Sequence, residues 1–331
     1  MAQQTRREWL ARVAPRAELV NVPEFEAEAE RVLPADLFRL VSGGERAAYE
    51  RITFRPRMMV NCVGLNLSLD LVGVPLFAPI VVGPIADQVR FHPDGELATV
   101  RGAAAAQTAV VVSSRSSHGV QALAAQATTP LIFQVFGEDA VTTIRSQAQD
   151  AARAGCRAIL LTIGAPLSGT RRSARVDWAV VDALRSAVSV PVLVKGVMTA
   201  LDATTAVSHG AQGLVVSNYG RAVAPTQPAP LDAVAPIVAA VGPQVPVLLD
   251  GGIRRGSDVM KALAAGARAV LVARPVMWGL AAYGADGVQS VLELLQTELG
   301  RVMGCCGTAN LSAITTRVVK VHAQPPGPDR A

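Results

Sequence analysis

The chain has 331 residues, of which 50% are hydrophobic and 17% are charged, with a net charge of +5 and a pI near 9.4. This length suits one large α/β domain, and the apolar composition excludes a disordered or fibrous chain. The arginines are scattered rather than grouped in basic runs with interleaved aromatic residues, which argues against nucleic-acid binding.

Cysteine spacing and the N-terminal segment bear on location. Cys62, Cys156, Cys305 and Cys306 form no CxxC pair and no cluster with zinc-ligand spacing, so we expect a reducing compartment and no metal site. No apolar run reaches the roughly 18 residues that a membrane span needs. The start TRREWL is similar to a twin-arginine export signal, but charges occupy the place of its apolar region. We therefore predict a cytoplasmic protein without membrane contact.

Residues 1–70 are predicted to form a leader that packs on the following domain. Their pattern predicts one helix near Pro23–Val32 and a second near Pro34–Val41. The segment RITFRPRMMVN comes next, and we expect it to lie across the bottom of that domain. At the other end of the chain, residues 316–331 are predicted to be a flexible tail, rich in proline and glycine from Gln324 onward.

Residues 71–315 alternate short β-branched runs with Ala-rich stretches of helical period, which is typical of βα units and a parallel sheet. Gly155, Gly210 and Gly266 stand where glycine commonly ends a helix. Eight such units predict a (β/α)8 TIM barrel with an N-terminal helical leader, as a single domain. The predicted strands are Leu76–Val82, Ala109–Ser113, Leu131–Phe136, Ala158–Ile163, Pro191–Lys195, Gly213–Ser217, Val245–Asp250 and Ala269–Ala273.

The carboxyl ends of these strands are the place to look for chemistry, because barrel enzymes build their sites there. A single Ser, Thr or Gln at such an end is more simply explained as a helix cap or as a partner for backbone groups. Taken together, however, the set favours a ligand. The residues at the strand ends are Pro84, Ile85, Ala86, Ser113, Gln134, Phe136, Thr162, Lys195, Ser217, Asn218, Tyr219, Asp250, Gly251, Gly252, Arg254, Ala273 and Arg274.

The segment DGGIRRGSDV follows the seventh predicted strand and opens a helix, and LVARP follows the eighth. Glycines let backbone N–H groups approach a phosphate, and these two loops commonly bind phosphate in barrels. We expect a phosphate to be held by Gly252, Arg254, the N–H of Ala273 and Arg274, with a plain solvated turn as the alternative. Lys195 ends the fifth strand, and because a buried lysine needs a partner, we expect it to face an anion or an electron-rich ligand.

Motifs along residues 18–315 together resemble the FMN-dependent α-hydroxy acid oxidase and dehydrogenase family. They are LPADLFRLVSGG, FRPRMM, PIVVGPIADQ, HPDGE, FQVFG, VLVKGV, VVSNYG and LLDGGIRRGSDVMKALAAGARAVLVARPV. The resemblance implies a (β/α)8 barrel that binds FMN at the carboxyl ends of its strands, a small anionic substrate, and a homo-oligomer, either a tetramer or an octamer.

The resemblance also implies which residues contact FMN. Pro84 and the backbone of Ala86 would lie by flavin N5. The edge of the isoalloxazine ring would meet Ser113, Gln134, Thr162 and Lys195. Ser217 would lie on the ribityl side, and the phosphate end would be held by Asp250, Gly251, Gly252, Arg254, Ala273 and Arg274.

The substrate half of the pattern departs from the family. Relatives have SNHGxRQ after the sixth strand, where the histidine takes the substrate hydroxyl proton and the arginine binds the carboxylate. This chain has SNYGRAV, so Tyr219 stands at the base position, Ala222 at the arginine position, and Arg221 one place early. A phenol with a pKa near 10 is a poor base near neutrality.

Further departures fall in the leader and in the loops after strands three and four. Leu40 and Phe136 occupy the places of two family tyrosines, and Gly164 replaces an acidic residue that partners the catalytic histidine. Arg171 keeps the place of a second substrate arginine. The segment that follows Arg171 is short, so we expect a short or missing lid over the active site.

The leading hypothesis is an FMN-dependent oxidoreductase acting on CH–OH-type donors, for which classical 2-hydroxy acid oxidation is doubtful. Tyr219 and Lys195 are the candidate catalytic residues, and Arg171, Arg115 and Phe136 are candidate substrate contacts. Two alternatives remain: a catalytically silent flavin-binding or scaffold protein, and a non-flavin barrel that binds a phosphorylated metabolite. His118 is a candidate substitute base, although a solvated loop histidine is the simpler interpretation.

Overall fold

The structure, a computed structural model, describes residues 14–164, 177–219 and 228–325. Eight parallel strands, β4 to β11, form a closed barrel in which the last strand pairs with the first, Val270 with Ile80. The predicted (β/α)8 TIM barrel is therefore confirmed. The barrel strands are β4 Ile80–Val82, β5 Val110–Ser113, β6 Leu131–Phe136, β7 Ala158–Thr162, β8 Val192–Val197, β9 Gly213–Val216, β10 Val247–Asp250 and β11 Ala269–Val272.

Helices surround the barrel and also form the leader. Gly155, Gly210 and Gly266 end three of them at φ values of 96°, 89° and 107°, a conformation that glycine adopts without a Cβ penalty. Within the described ranges, no helix is both long and apolar enough to cross a membrane. The helices are α1 Val22–Val32, α2 Ala35–Val41, α3 Ala47–Glu50, α4 Gly95–Ala105, α5 Val120–Gln126, α6 Val141–Arg153, α7 Ala179–Ala187, α8 Ala200–Ser208, α9 Pro230–Val241, α10 Gly256–Ala264 and α11 Arg274–Cys305, which bends at Gly284.

The first predicted strand, Leu76–Val82, is wrong in its first half. Strand β3, Val74–Leu76, instead pairs antiparallel with β2, Leu69–Leu71, and only Ile80–Val82 enters the barrel. The error has a simple cause, because the apolar run continues through the turn that separates β3 from β4, and hydrophobicity alone does not mark it. The other predicted barrel strands differ from the observed ones only at their ends.

The β2–β3 hairpin closes the bottom of the barrel. Its apolar residues Leu71, Val74 and Leu76 form one buried cluster with inward-facing barrel residues such as Val81 and Leu248. The position of RITFRPRMMVN across the bottom stays a prediction. Strand β1 at the start of that segment, Ile52–Phe54, pairs antiparallel with β12, Val319–Val321.

Strand β12 also corrects the predicted tail. Thr316–Val318 form a 3-10 turn, and Val319–Val321 pair with β1, so ordered backbone extends past the predicted boundary at residue 315. The pairing satisfies backbone groups of both short strands, a gain that the polar composition of this segment does not reveal. The last residues of the predicted tail, 326–331, lie outside the described part of the chain.

The predicted first helix of the leader is present in the structure, and it is well capped. The Asn21 side chain accepts a hydrogen bond from the backbone of Glu24, and the Glu24 carboxylate accepts from the Asn21 backbone, which forms a capping box. Helix α1 buries Phe25, whose ring meets Tyr283 of α11 edge-on with centroids 5.8 Å apart. The Trp278 indole of α11 donates to the Val41 carbonyl at 2.9 Å. These contacts hold the leader against α11, beside the carboxyl ends of the last strands.

Candidate active site

A cavity of about 340 Å³ opens at the carboxyl ends of the barrel strands. All the predicted cofactor contacts line it except Ser113, Thr162 and Ser217. The predicted strand-end residues therefore do come together in one place, on the side of the barrel where ligands bind. Its lining residues include Leu40, Glu45, Tyr49, Pro84, Ile85, Ala86, Arg90, Phe91, Gln134, Lys195, Asn218, Tyr219, Leu231, Asp250, Gly251, Gly252, Arg254, Ala273 and Arg274.

Lys195, the fourth residue of β8, is buried and has two polar partners among the described residues. Its Nζ lies 2.8 Å from the Asp250 carboxylate and 2.9 Å from the Ser217 hydroxyl. The Ser217 hydroxyl in turn donates to Asp250 at 2.7 Å. Asp250 therefore balances the charge of Lys195 within the protein, and the contact of Lys195 with a ligand stays a prediction. The sequence indicated each of these residues but not their pairing.

Polar groups on strands β5 to β7 lie side by side in the sheet. The Gln134 amide donates to the Thr162 hydroxyl at 2.7 Å, and Ser113 is in register with Gln134 on the neighbouring strand. All three side chains are buried. Only Gln134 of these reaches the cavity, and its bond to Thr162 fixes the orientation of its amide.

The loop after β10 has backbone that only glycine adopts easily. Gly251 and Gly252 have φ values of 120° and 75°, and a Cβ on Gly252 would collide with the carbonyl of Glu45 and the ring of Tyr49. The Arg254 and Arg274 guanidinium groups both donate to one acceptor, the Gly43 carbonyl, with a distance of 3.2 Å for Arg274. The leader thus covers the end of the cavity where a phosphate was predicted.

These two arginines fit a bound anion. Burial and the nearby charge of Arg274 lower the pKa of Arg254 to about 10. Two like charges that share a single neutral carbonyl repel each other, so an anion placed between them is stabilised by both. A phosphate group supplies the required charge and several acceptor oxygens. The donor set at this end therefore suits the phosphate of FMN.

Two leader residues that the sequence did not suggest shape this loop. Arg46 donates to the Gly252 carbonyl at 2.8 Å and forms an ion pair with Asp258 at 2.7 Å. The Tyr49 hydroxyl donates to the Gly251 carbonyl at 2.6 Å, and its pKa is raised well above 10, chiefly by burial. Both residues follow the SGG motif of the leader, which is the only local signal that could have indicated them.

Tyr219, at the predicted base position, is held in an unusual conformation. Its φ is 55°, a left-handed value that non-glycine residues rarely adopt outside special sites. Its ring lies 4.4 Å from Lys195 Nζ, and its hydroxyl is buried with no hydrogen-bond partner among the described residues. Burial, aided by the charges of Glu138 and Asp250, raises the pKa of Tyr219 far above 10, while Arg115 opposes the rise.

The predicted substrate contacts lie beside the cavity rather than in its lining. The Arg115 guanidinium stacks 3.7 Å from the centre of the Phe136 ring and approaches the Asp139 carboxylate at 3.5 Å. Neither Arg115 nor Phe136 lines the cavity. Arg171 lies outside the described residues, as do Arg221 and Ala222.

His118, the candidate substitute base, is engaged elsewhere. Its Nδ1 lies 3.2 Å from the Glu96 carboxylate, which is buried and also accepts from the backbone of Gln88 and Ser117, each at 3.0 Å. His118 does not line the cavity. Its contacts tie the loops after β4 and β5 together, so this histidine is paired with a buried carboxylate and is not a solvated loop residue.

Comparison with known proteins identifies the class to which this barrel and its cavity belong. The chain belongs to the FMN-dependent dehydrogenase family, whose model matches residues 40–176 and 173–321. Among its relatives is a peroxisomal (S)-2-hydroxyacid oxidase of Arabidopsis thaliana, 33% identical over 92% of this chain and 97% of the relative. Glycolate oxidase of Spinacia oleracea is 33% identical over 90% of this chain and 95% of the relative.

A solved structure is similar over almost the same extent. Mandelate oxidase with (S)-2-phenylpropionate superposes with a TM-score of 0.85 at 34% identity, covering 92% of this chain and 99% of that chain. The predicted resemblance is therefore confirmed, and the cofactor of the family is FMN. This result removes the alternative of a non-flavin barrel.

Proposed function

We propose that the chain is an FMN-dependent oxidoreductase for small 2-oxygenated carboxylic acids, in which Tyr219 donates a hydrogen bond to a substrate oxygen instead of acting as a base. One observation supports this role. Tyr219 lines the cavity, and its hydroxyl is buried without a hydrogen-bond partner among the described residues. A buried polar group without a partner is costly, and it persists where a ligand completes it.

The pKa of Tyr219 argues for a donor rather than a base. A general base works best when its pKa lies near the operating pH, and burial moves the phenol pKa away from that range. A neutral phenol still donates its proton in a hydrogen bond. The positive charge of Lys195, 4.4 Å from the ring, favours that donation, although Asp250 balances much of the charge. Classical 2-hydroxy acid oxidation should accordingly be slow.

Two groups of cavity-lining residues would hold FMN, one at its phosphate and one at its ring system. Gly252, Arg254, Arg274 and the N–H of Ala273 would bind its phosphate, and Lys195 with Gln134 would meet the isoalloxazine ring. When bound, FMN supplies a hydride acceptor or donor. The charge of Arg115 acts on Tyr219 and would attract an anionic substrate, with Phe136 as its support. Arg171 remains a proposed second contact.

A catalytically silent flavin-binding protein is the second candidate. The observation that favours it is the contact between His118 and the buried Glu96 carboxylate, because it removes the obvious replacement for the missing base. Because Tyr219 stays protonated near neutral pH, the described residues offer no clear route for removing a hydroxyl proton from a substrate. This candidate keeps the cofactor site but predicts no turnover.

Anaerobic stopped-flow reduction of the FMN-loaded protein separates these functions. The donors are lactate, glycolate, mandelate and NADH, and bleaching of the flavin absorbance reports reduction. Slow but saturable reduction by at least one 2-hydroxy acid is the expected result. No reduction by any donor favours the silent protein. Reduction at the rate of a glycolate oxidase measured in parallel would contradict the assigned role of Tyr219.

A further inference from the structure

The positive charges around the cavity differ in how fully protein groups neutralise them. Within the described ranges, the arginines that line the cavity are Arg90, Arg254 and Arg274. The last two donate to the Gly43 carbonyl at the phosphate end. Lys195 is 5% exposed and pairs with Asp250. Arg90, which follows β4, is thus the cavity-lining cation that belongs to neither of these groups.

Among the described residues, the Arg90 side chain has only a weak partner. Its Nε lies 3.8 Å from the Asp87 carboxylate, and the two side chains are 50% and 54% exposed. An exposed pair at this distance contributes little to stability, so a ligand carboxylate can replace it at low cost. Asp87 is itself held in place, because its N–H donates to the Arg115 carbonyl at 3.2 Å. Movement of Arg90 therefore leaves the loop after β4 in position.

Several apolar side chains line the same cavity as Arg90. Ile85 and Phe91 of the same loop line the cavity, together with Leu40 from the leader and Leu231 at the start of α9. A ligand that reaches Arg90 with a carboxylate would also place its hydrocarbon part against these side chains. Burial of that part contributes roughly 25 cal/mol for each Å² of apolar surface. The cavity wall thus suits an anion with an apolar side chain.

The geometry points to Arg90 as the residue that binds the substrate carboxylate, in place of the arginine that Ala222 replaces. The substrates it favours are 2-hydroxy or 2-oxo acids with a branched or aromatic side chain. This inference rests on the proposed function, since it assigns the substrate of the same site. Arg90 is a binding residue that sets specificity, and it takes no part in proton transfer.

Ligand titration tests the inference without turnover. FMN-loaded protein is titrated anaerobically with 4-methyl-2-oxopentanoate, and the perturbation of the flavin absorbance gives the Kd. Arg90→Gln should weaken binding about tenfold, the lower part of the range for charge-assisted bonds because the site is half exposed. The Kd of Arg90→Lys should fall between those of wild type and Arg90→Gln. Arg101→Gln is the matched control, because Arg101 is similarly exposed and pairs with Asp94 outside the cavity.

Two further ligands distinguish the contribution of the ligand's carboxylate charge from that of its apolar side chain. The methyl ester of the same acid should bind wild type and Arg90→Gln equally, and pyruvate should bind wild type more weakly than the branched acid does. Equal losses for acid and ester in Arg90→Gln would overturn the assignment, as would no loss for the acid. Pyruvate binding as tightly as the branched acid would overturn the proposed apolar preference.

The variant Tyr219→Phe distinguishes this inference from the proposed function. If only Arg90→Gln weakens binding of the acid, Arg90 is supported and the donor role of Tyr219 fails. If only Tyr219→Phe weakens binding, the donor role is supported and Arg90 is overturned. If the wild-type flavin responds to none of these acids, both assignments are overturned.

Discussion

Two tyrosines that line the cavity have buried hydroxyls and differ in one respect that separates stability from function. At the phosphate end, the Tyr49 hydroxyl donates to the Gly251 carbonyl at 2.6 Å. At the substrate end, the Tyr219 hydroxyl is buried without a partner among the described residues. Both phenols have raised pKa values, with burial as the main cause. The two hydroxyls therefore differ in hydrogen bonding.

At the phosphate end, side chains and backbone groups of the protein satisfy one another. Arg46, Tyr49 and Asp258 satisfy backbone groups of the glycine loop, and the carbonyl of Gly43 occupies the two arginines. At the substrate end, Tyr219 has a left-handed backbone and a hydroxyl that no described residue pairs with. Features of this kind cost stability and are found where a ligand supplies the missing contact.

The largest expected effect is on flavin reduction by simple 2-hydroxy acids. A correctly placed general base contributes roughly 10²–10⁴-fold, so the wild-type rate should be lower than that of a family oxidase by at least that order. Tyr219→His alone should recover little, because Gly164 cannot orient the imidazole and Ala222 cannot bind the carboxylate. The triple variant Tyr219→His, Gly164→Asp and Ala222→Arg should recover more than the sum of the single changes.

The triple variant is structurally reasonable at the described positions. A Cβ at Gly164 would meet no atom within 4 Å, and Asp tolerates its φ of 68° better than most residues. Stopped-flow reduction by glycolate and mandelate measures the rates, with Gly164→Asp alone as the control for backbone strain. A purely additive recovery would show that the three groups do not act as one unit.

The next largest effect is on retention of FMN. Arg274→Ala should weaken FMN binding by about 1.5–3 kcal/mol, the contribution of a hydrogen bond to a charged group. Riboflavin, which lacks the phosphate, should bind the variant as it binds wild type. Fluorescence quenching measures both affinities, and Arg268→Ala, at the opposite end of β11, is the matched control. Equal losses for FMN and riboflavin would rule out the phosphate contact.

The same comparison explains what the sequence could predict. The glycine loop and its arginines lie in one continuous motif, and the barrel follows from eight repeats of one pattern, so both were predictable. Arg46 and the Gly252 carbonyl that it contacts are 206 residues apart, and no local pattern indicates that pair. The Asp250 partner of Lys195 was missed for the same reason, although both residues were named as candidates.

At the substrate end, prediction from the sequence was limited by different factors. The replacement of the base by Tyr219 was visible in the sequence, but its consequences depend on burial, which only the fold defines. Arg115 was expected to face the substrate, yet in the structure its guanidinium stacks on Phe136. Arg90 was overlooked because it lies beyond the strand end, in a loop whose path no repeat pattern specifies.

The two tyrosines should respond oppositely to loss of the hydroxyl. Tyr49→Phe removes a buried hydrogen bond and leaves the Gly251 carbonyl without this donor, so the free energy of unfolding should fall by about 1–2 kcal/mol. Tyr219→Phe removes a hydroxyl without a described partner and should be neutral or slightly stabilising. Urea denaturation of the FMN-free protein measures both. A clear loss in Tyr219→Phe would show that this hydroxyl has a partner in the folded protein.

The smallest expected effect is the dependence of stability on alkaline pH. A phenol whose pKa is raised on folding stabilises the protein fully below its unfolded pKa, and this contribution is lost as the pH rises toward the folded value. The unfolded tyrosines ionise near pH 10 while Tyr219 stays protonated in the fold, so stability should fall above pH 10. At pH 10.5 the loss from one such phenol is roughly 1 kcal/mol or slightly less. Urea denaturation should therefore show that the free energy of unfolding falls less between pH 8 and pH 10.5 in Tyr219→Phe than in wild type. Tyr49→Phe should likewise lose less than wild type. If Tyr219→Phe loses as much stability as wild type, the phenol ionises at its ordinary pKa in the folded protein, and burial adds nothing to the argument against Tyr219 as a base.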